Sequence, residues 1–319
     1  DKPVCRTHMV VNAVIGHYEG GTKGGKCHGQ GAMTYADGGK YTGEFKNGKR
    51  HGLGKLVHPD GRVSEGSWKN DKEHGIMWVL YPSGEEYEGE IVDGKRRGKG
   101  KQTLPDATYQ GSWVNDHRHG YGSILYLDGC EYRGEWHYGK RHGQGTVQHL
   151  DGTVYIGSWH FGVKNGQGMM KHADGVLYEG EWVDGKQHGQ GVVTTAVGDT
   201  HHGEWERGER HGQGTTIYAN GDVYRGKWLC GSCCGEGTTT YVNGDVYTGN
   251  WLGNLRCGQG IMKCANGDEY NGNWWDDKWH GQGTARCADG SVYSGRFEHG
   301  KWDGQGMYKW PSGAVYEGE

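Results

Sequence analysis

YRGEWHYGKRHGQG, residues 132–145, decides the fold, and it returns almost unchanged as YEGEWVDGKQHGQG at residues 178–191. Tyr, Gly and Trp alternate with polar or charged residues at its start, which is the period-two pattern of a half-buried β-strand. Three residues after the Trp comes a Gly, the residue type that a tight turn with a left-handed backbone requires. A second strand then follows from His-Gly-x-Gly, so the stretch predicts one β-hairpin.

The Tyr-x-Gly marker of this hairpin recurs every 23 residues, apart from one step of 22 residues. It begins at Tyr18, Tyr41, Ser64, Tyr87, Tyr109, Tyr132, Tyr155, Tyr178, His201, Tyr224, Tyr247, Tyr270, Tyr293 and Tyr316. A fixed period of this length indicates a stacked architecture, because one hairpin buries too little surface to fold without its neighbours. The glycines would leave space for the rings of the adjoining strand.

We therefore predict an all-β chain, an elongated open solenoid of about fourteen stacked antiparallel β-hairpins. The array would occupy residues 18–319 continuously, and residues 1–17 would form a degenerate N-terminal capping segment.

Composition restricts the classes of function. The 319 residues include 65 Gly, 14 Trp and 20 Tyr, so aromatic burial has to compensate for the abundance of glycine. A net charge of −4 gives no general attraction to nucleic acid. The longest apolar run, Met9–Ile15, is too short for a transmembrane segment. Nine irregularly spaced cysteines fit a reducing compartment.

The repeated pattern Tyr-x-Gly-x-Trp-x-x-Gly-x-x-His-Gly-x-Gly resembles the MORN repeat family over nearly the whole chain. The resemblance implies open β-hairpin arrays, whose long forms occur in radial spoke heads of motile cilia, in protist cytoskeletal collars and at membrane contacts. It also implies that enzymatic members usually owe their activity to an additional domain. The repeats leave no stretch for such a domain, so we expect a chain that is not an enzyme and has no cofactor.

A row of aromatic rings is the first candidate site. These rings could simply form the core, but an open sheet lacks a second layer, so their exposed edges could line a groove for a partner helix or peptide. The predicted groove residues are Tyr132, Trp136, Tyr155, Trp159, Tyr178, Trp182, Tyr224, Trp228, Tyr247, Trp251, Tyr270 and Trp274.

A basic edge is the second candidate, because the loops after the Trp positions carry many cations, whereas the connecting turns carry Asp. Its predicted members are Lys49, Arg50, Lys95, Arg96, Arg97, Lys140 and Arg141. Stacking in phase would align these charges, and an acidic protein tail or anionic lipid could follow them. The alternative is that they are ordinary solvated turn residues.

Cysteines and histidines form the third candidate. Cys234 and Cys257 take a position that His occupies in other repeats, which would suggest zinc. Equivalent positions in adjacent repeats lie about 9.6 Å apart, too far for a disulfide and awkward for a shared ion. Cys230-x-x-Cys233 within one turn stays open as an alternative, but we expect no metal. No other catalytic arrangement stands apart from the repeat.

These patterns lead to one functional hypothesis and one rival. The leading hypothesis is a structural scaffold in the cytoplasm and cytoskeleton, in the axoneme of a cilium or flagellum, with other cytoskeletal or axonemal proteins as partners. The rival is an adaptor that binds anionic phospholipids through the basic edge and links membrane to cytoskeleton. Unpaired strand edges at the ends of an open stack would also favour self-association.

Overall fold

The computed structural model describes residues 16–319, so the predicted capping segment at residues 1–17 lies almost wholly outside the described residues. Every regular element in the described part is a β-strand. The described chain divides into two compact units, residues 16–163 (unit 1) and residues 164–319 (unit 2), so that the strand beginning at Val163 is counted with unit 2. No described segment forms a helix with the length and apolar character that crossing a membrane requires. The prediction of an all-β chain is confirmed.

Unit 1 is a meander in which each described strand pairs antiparallel with the next one in sequence. Its strands are β1 (His17–Lys23), β2 (Lys26–Thr34), β3 (Lys40–Lys46), β4 (Lys49–Val57), β5 (Val63–Lys69), β6 (Lys72–Leu80), β7 (Glu86–Val92), β8 (Lys95–Thr103), β9 (Ala107–Val114), β10 (His117–Tyr126), β11 (Glu131–His137), β12 (Lys140–Gln148) and β13 (Val154–His160).

Unit 2 has the same antiparallel order. Its strands are β14 (Val163–Lys171), β15 (Leu177–Val183), β16 (Lys186–Thr194), β17 (Thr200–Glu206), β18 (Glu209–Ile217), β19 (Val223–Leu229), β20 (Ser232–Thr240), β21 (Val246–Leu252), β22 (Leu255–Lys263), β23 (Glu269–Trp275), β24 (Lys278–Arg286), β25 (Val292–Glu298), β26 (Lys301–Lys309) and β27 (Val315–Gly318). Among the described pairings, the first strand of neither unit pairs with its last, so each sheet is open.

The tight turn lies where the sequence predicts it. Between β11 and β12, Tyr138 and Gly139 have φ of 46° and 79°, and His137 pairs with Lys140 across the turn. Two successive residues with positive φ are the signature of a type I′ hairpin turn. Tyr138 is a bulky residue in a conformation that favours Gly, Asn and Asp, so this turn is strained locally.

Glycines face one another across the strands and form a ladder through each sheet. Gly134 pairs with Gly145, and Gly145 pairs in turn with Gly157. A Cβ on Gly145 would lie 2.5 Å from Cε2 of Tyr132, because that ring lies across the ladder. The predicted role of these glycines, to leave space for rings, is confirmed.

Above the ladder, rings of neighbouring repeats pack against one another and form hydrogen bonds with the backbone. Tyr132 packs edge to face against Trp136 of its own repeat and Trp159 of the next, at 5.2 and 5.6 Å between ring centres. The Tyr132 hydroxyl donates to the carbonyl of Glu135 at 2.7 Å, and Trp136 Nε1 donates to the carbonyl of Gly122 at 3.1 Å. Each repeat therefore borrows both burial and a hydrogen-bond acceptor from its neighbour.

One repeat of unit 1 lacks both the tyrosine and one glycine of the ladder, and the two changes compensate for each other in volume. Ser64 replaces the tyrosine, and Met77 replaces the glycine that would pair with Gly66. Both Ser64 and Met77 are buried. A Cβ on Gly66 would lie 2.9 Å from the Met77 sulfur, so the thioether occupies the volume that a tyrosine ring takes elsewhere. The ring and a side chain at the ladder position exclude one another.

Candidate functional site

The structure places all twelve predicted groove rings in the core. None of them has more than 9 % of its surface exposed. Those in unit 1 are Tyr132, Trp136, Tyr155 and Trp159, and those in unit 2 are Tyr178, Trp182, Tyr224, Trp228, Tyr247, Trp251, Tyr270 and Trp274. The predicted exposure of their edges is therefore wrong, because side chains from adjacent strands cover the rings, as Arg141 of β12 covers Tyr132 of β11 and Trp159 of β13. Their role toward a partner stays a prediction.

The covering side chain comes from the fifth residue after the Trp position, here called the cover position. Arg50, Arg96, Arg210 and Arg256 lie there, with guanidinium carbons 4.6, 4.4, 4.2 and 4.5 Å from the centre of the Trp ring in the next repeat. A guanidinium over an indole face gains cation–π attraction and shields the ring from water. Guanidinium groups therefore cover the aromatic row where these arginines lie.

Towards the end of unit 2 the cover position changes from cations to aromatic rings. Trp279 stacks on Tyr270 with ring centres 4.4 Å apart, and Trp302 stacks on Tyr293 at 4.3 Å. Trp302 is 56 % exposed, so it presents an accessible ring face. Sequence reasoning missed both tryptophans, although their spacing from Trp274 and Phe297 matches that of the arginines.

The predicted basic edge consists of two kinds of residue. Lys49, Lys95, Arg97 and Lys140 are exposed, as the prediction requires. Arg50, Arg96 and Arg141 are only partly exposed, because each turns onto the aromatic row. These three guanidiniums therefore lie over the aromatic row and not among the exposed cations, and a role of the basic edge in binding stays a prediction.

Several cover arginines are neutralised by the turn of the next repeat. The Arg50 backbone N–H and Nε donate to Asp71 Oδ1 at 2.8 and 3.4 Å, and Arg256 makes the same pair of bonds to Asp277. Arg96 pairs with Asp116, its Nε 3.7 Å from Oδ1. Each carboxylate stands three residues after a Trp position, so an acid at that position of the turn completes an internal ion pair.

A second surface lies on the other side of the glycine ladder. In unit 2, a cleft of about 660 Å³ is lined by Gln190, His202, Gln213, Arg225 and Glu236 together with ladder glycines. In unit 1, a cleft of about 690 Å³ contains the exposed Ile76 and Tyr121 beside lysines. The missing side chains of the ladder create these clefts. Sequence reasoning did not identify them, although their lining residues flank the ladder glycines directly.

The cysteines do not come together as ligands. Cys230 is exposed in a turn at φ 48°, whereas Cys233 is buried at a cover position. Burial raises the pKa of the Cys233 thiol to about 11, which favours the protonated form over the thiolate that binds metal. Within residues 16–319 no three His, Cys, Asp or Glu side chains are arranged to hold a metal ion.

The family model described as MORN repeat matches the chain thirteen times in succession. The matched residues are 18–40, 41–61, 65–84, 87–108, 109–131, 132–154, 155–176, 178–200, 201–223, 224–246, 247–269, 270–292 and 293–315. The matches begin at the predicted markers, except that the third starts at residue 65 rather than Ser64.

Solved structures give weaker likenesses. The TCP10 domain of Danio rerio CPAP in complex with a Danio rerio STIL peptide is 11 % identical over 90 % of this chain and 97 % of that chain, with a TM-score of 0.21. A virginiamycin B lyase from Staphylococcus aureus is 12 % identical over 90 % and 92 %, with a TM-score of 0.14. Scores this low carry no argument about function. No curated protein sequence matches the chain.

Proposed function

The chain belongs to the MORN repeat family, and from this membership we propose that it is a non-enzymatic scaffold of a cytoskeletal assembly in the axoneme of a cilium or flagellum. The family is generally one of non-enzymatic scaffolds, and its repeats bind proteins or lipids. The cytoskeletal and axonemal assignment is our own step beyond that.

The observation that carries the proposal is the repetition of one surface. Consecutive repeats within each unit present the same cover position, and its eight arginine or tryptophan members are Arg50, Arg96, Arg118 and Arg141 in unit 1 and Arg210, Arg256, Trp279 and Trp302 in unit 2. A regular row of similar sites suits a filament or a periodic assembly, because one partner can contact several repeats and gain avidity. A catalytic site does not require a surface that repeats in this way.

The test is the location of the tagged chain in ciliated cells before and after detergent extraction. We expect it to stay with the extracted axoneme and to coincide with a structural marker there. Release with the soluble or membrane fraction, or a location away from all cytoskeletal structures, would contradict the proposal.

The rival proposal is an adaptor for anionic phospholipids. It is favoured by exposed Lys95, Arg97 and Lys140, and by Tyr138 and Phe161 at hairpin tips, which are 60 % and 45 % exposed. Aromatic tips beside lysines suit the interface of an anionic membrane. Flotation with phosphatidylserine vesicles would test it with the variant Lys95→Gln/Arg97→Gln, which spares the core arginine Arg96. Unchanged flotation would remove the basic edge from the hypothesis.

The predicted self-association through the outer strands also stays a prediction. Light scattering of the purified chain at two concentrations would check it, with a rise in mean mass as the expected result.

A further inference from the structure

Arg118 and Arg141 lie in adjacent repeats of unit 1 and differ from the other cover arginines. The Arg118 guanidinium carbon is closer to the ring of Tyr109 than to that of Trp136, at 4.9 against 5.5 Å. The Arg141 carbon is nearly equidistant from Tyr132 and Trp159, at 5.1 and 5.2 Å. Compared with the other cover arginines, both guanidiniums lie farther from the Trp ring of the next repeat and closer to the Tyr ring of their own.

Neither arginine has a carboxylate partner among the described residues. Arg118 donates from Nε and Nη2 to Gln102 Oε1 at 3.2 and 2.8 Å, whereas Arg141 reaches Tyr126 Oη at 3.5 Å. Burial lowers the pKa of Arg118, which is the expected effect on a cation without full compensation. Two partly buried guanidiniums therefore lie near the phenol of Tyr126. The carboxylate of Glu85 is linked to Arg118 only through Gln102, whose Nε2 donates to Glu85 Oε1 at 2.6 Å.

The turn of the next repeat explains the missing acid. Where Arg50 and Arg96 find Asp71 and Asp116, Arg118 and Arg141 find Gly139 and Gly162. The guanidiniums are already held on rings, which removes part of the entropy that a flexible arginine loses on binding. A carboxylate from a binding partner could form with these guanidiniums the ion pair that Asp71 and Asp116 form with Arg50 and Arg96.

We infer that Arg118, Arg141 and Tyr126 form a binding site for carboxylate side chains of an acidic protein segment that also carries apolar residues. Leu127 and Leu150 stand beside this site in the connecting turns and are each 82 % exposed. Leu150 lies against the Leu127 turn, since a Cβ on Gly129 would be 3.3 Å from Leu150 Cδ1. Two exposed leucines beside two arginines could bind a segment in which apolar and acidic residues alternate, because the leucines would contact the apolar side chains and the arginines the carboxylates.

The surrounding charges favour a protein segment over a membrane surface. The connecting turns that hold the two leucines also carry the exposed carboxylates of Asp106, Asp128 and Asp151. A lipid surface would press its anionic headgroups against all three, whereas a peptide can direct single carboxylates at the arginines. The inference rests on the proposed scaffold role and names the chemistry of one partner.

A blocking variant tests the site without removing an arginine. Gly139→Asp/Gly162→Asp places carboxylates where Asp71 and Asp116 stand, both at φ 68°. Gly139 and Gly162 have φ of 79° and 96°, and no atom lies within 4 Å of a Cβ added at either. Asp tolerates this left-handed conformation, so the variant should fold while its own acids occupy the arginines. Gly48→Asp, in the same turn position but next to Cys27 rather than an arginine, is the matched control.

The measurement is selection of a random peptide library on the wild-type chain, followed by fluorescence polarisation of the strongest peptide. We expect enrichment of peptides that combine Asp or Glu with Leu, Ile or Phe. Their affinity should fall roughly tenfold or more in the blocking variant and in Arg118→Gln/Arg141→Gln. It should change less than about twofold in Gly48→Asp and in Lys49→Gln/Lys140→Gln, which also removes two positive charges but from exposed side chains.

Three results of the peptide experiment would overturn the inference. They are no enrichment over the blocking variant, undiminished binding when Asn and Gln replace the peptide's acids, and equal losses in the arginine and lysine variants. Binding to phosphatidylserine vesicles that depends on Arg118 and Arg141, without peptide binding, would assign the site to lipid and also overturn it. None of these results depends on the location of the chain in cells. The peptide experiment and the axonemal proposal can therefore fail independently of each other.

Discussion

His201 takes the place of the repeat tyrosine in unit 2 and is 2 % exposed. Its ring packs edge to face on Trp228 with centres 4.9 Å apart, and its Nδ1 lies 2.8 Å from Thr216 Oγ1. Burial lowers its pKa to about 4, and Arg210 adds to the shift. The fold therefore contains a neutral imidazole in an otherwise phenolic row.

This histidine should make stability depend on pH. Its folded-state pKa of about 4 lies below the ordinary 6.5, so the unfolded chain binds more protons between these values. The contribution of neutral His201 to the free energy of unfolding is then fully present above pH 6.5. It falls by about 3 kcal/mol as the pH drops to 4. We expect His201→Tyr to abolish this loss, measured as the difference in unfolding free energy from wild type by urea denaturation at pH 7.5 and 4.5. His202→Gln, at the exposed neighbour, should retain it; an identical pH dependence in His201→Tyr would refute the assignment.

Ser64 and Met77 offer a test of ring exclusion at the glycine ladder. Met77 fills the volume of the missing ring, so Ser64→Tyr alone should overpack the core and cost about 2 kcal/mol or more. Met77→Gly alone should leave a cavity and cost about 3 kcal/mol. The double variant recreates the ordinary repeat, so we expect a coupling energy of at least about 2 kcal/mol in a double-mutant cycle. Additive losses would mean that the two positions are independent.

At the scale of the hairpin, hydrogen bonds join several connecting turns to the next turn. In unit 2, Asp222 Oδ1 accepts from the backbone N–H of Val242, one turn further along, at 2.9 Å. Asp199, Asp245 and Asp268 make the equivalent bond at 2.8 Å. The carboxylate thus ties one connecting turn to the next and adds to the coupling that the rings provide.

Removing one such tie should loosen a single turn. Asp222→Ala leaves the Val242 amide without its acceptor, and we expect a cost of about 1 kcal/mol, in view of its exposure, together with faster hydrogen exchange at Val242. Asp60→Ala is the control, because the Asp60 carboxylate accepts from the backbone N–H of Arg62 within its own turn. If exchange at Val242 is as slow in Asp222→Ala as in wild type, the carboxylate does not hold the turn.

The hairpins and the ladder could be predicted because each depends on residues close in sequence. The alternation of Tyr, Gly and Trp and the turn glycines suffice for that. The arginine cover could not be predicted from charge patterning, since Lys49 and Arg50 carry the same charge and only the structure shows which of them lies over the rings. The exchange of Ser64 and Met77 becomes visible only when the register pairs Gly66 with Met77.

At the scale of the whole chain, each described repeat contacts chiefly its neighbours in sequence. The loss of stability caused by a substitution should therefore stay close to the substituted repeat. Trp251 touches Tyr224 and Tyr247, with ring centres 5.4 and 5.2 Å apart, and its Nε1 donates to the carbonyl of Gly237. Trp251→Ala should therefore remove about 3–5 kcal/mol from its own repeat and its neighbours, as an array with nearest-neighbour coupling predicts. We expect hydrogen exchange by mass spectrometry to show faster exchange across residues 224–292 and no change across residues 18–130, with Leu252→Ala at an exposed neighbouring position as the control. A uniform rise in exchange from residue 18 onwards would mean that the chain unfolds as one cooperative body, and the repeats could then not act as separable binding modules.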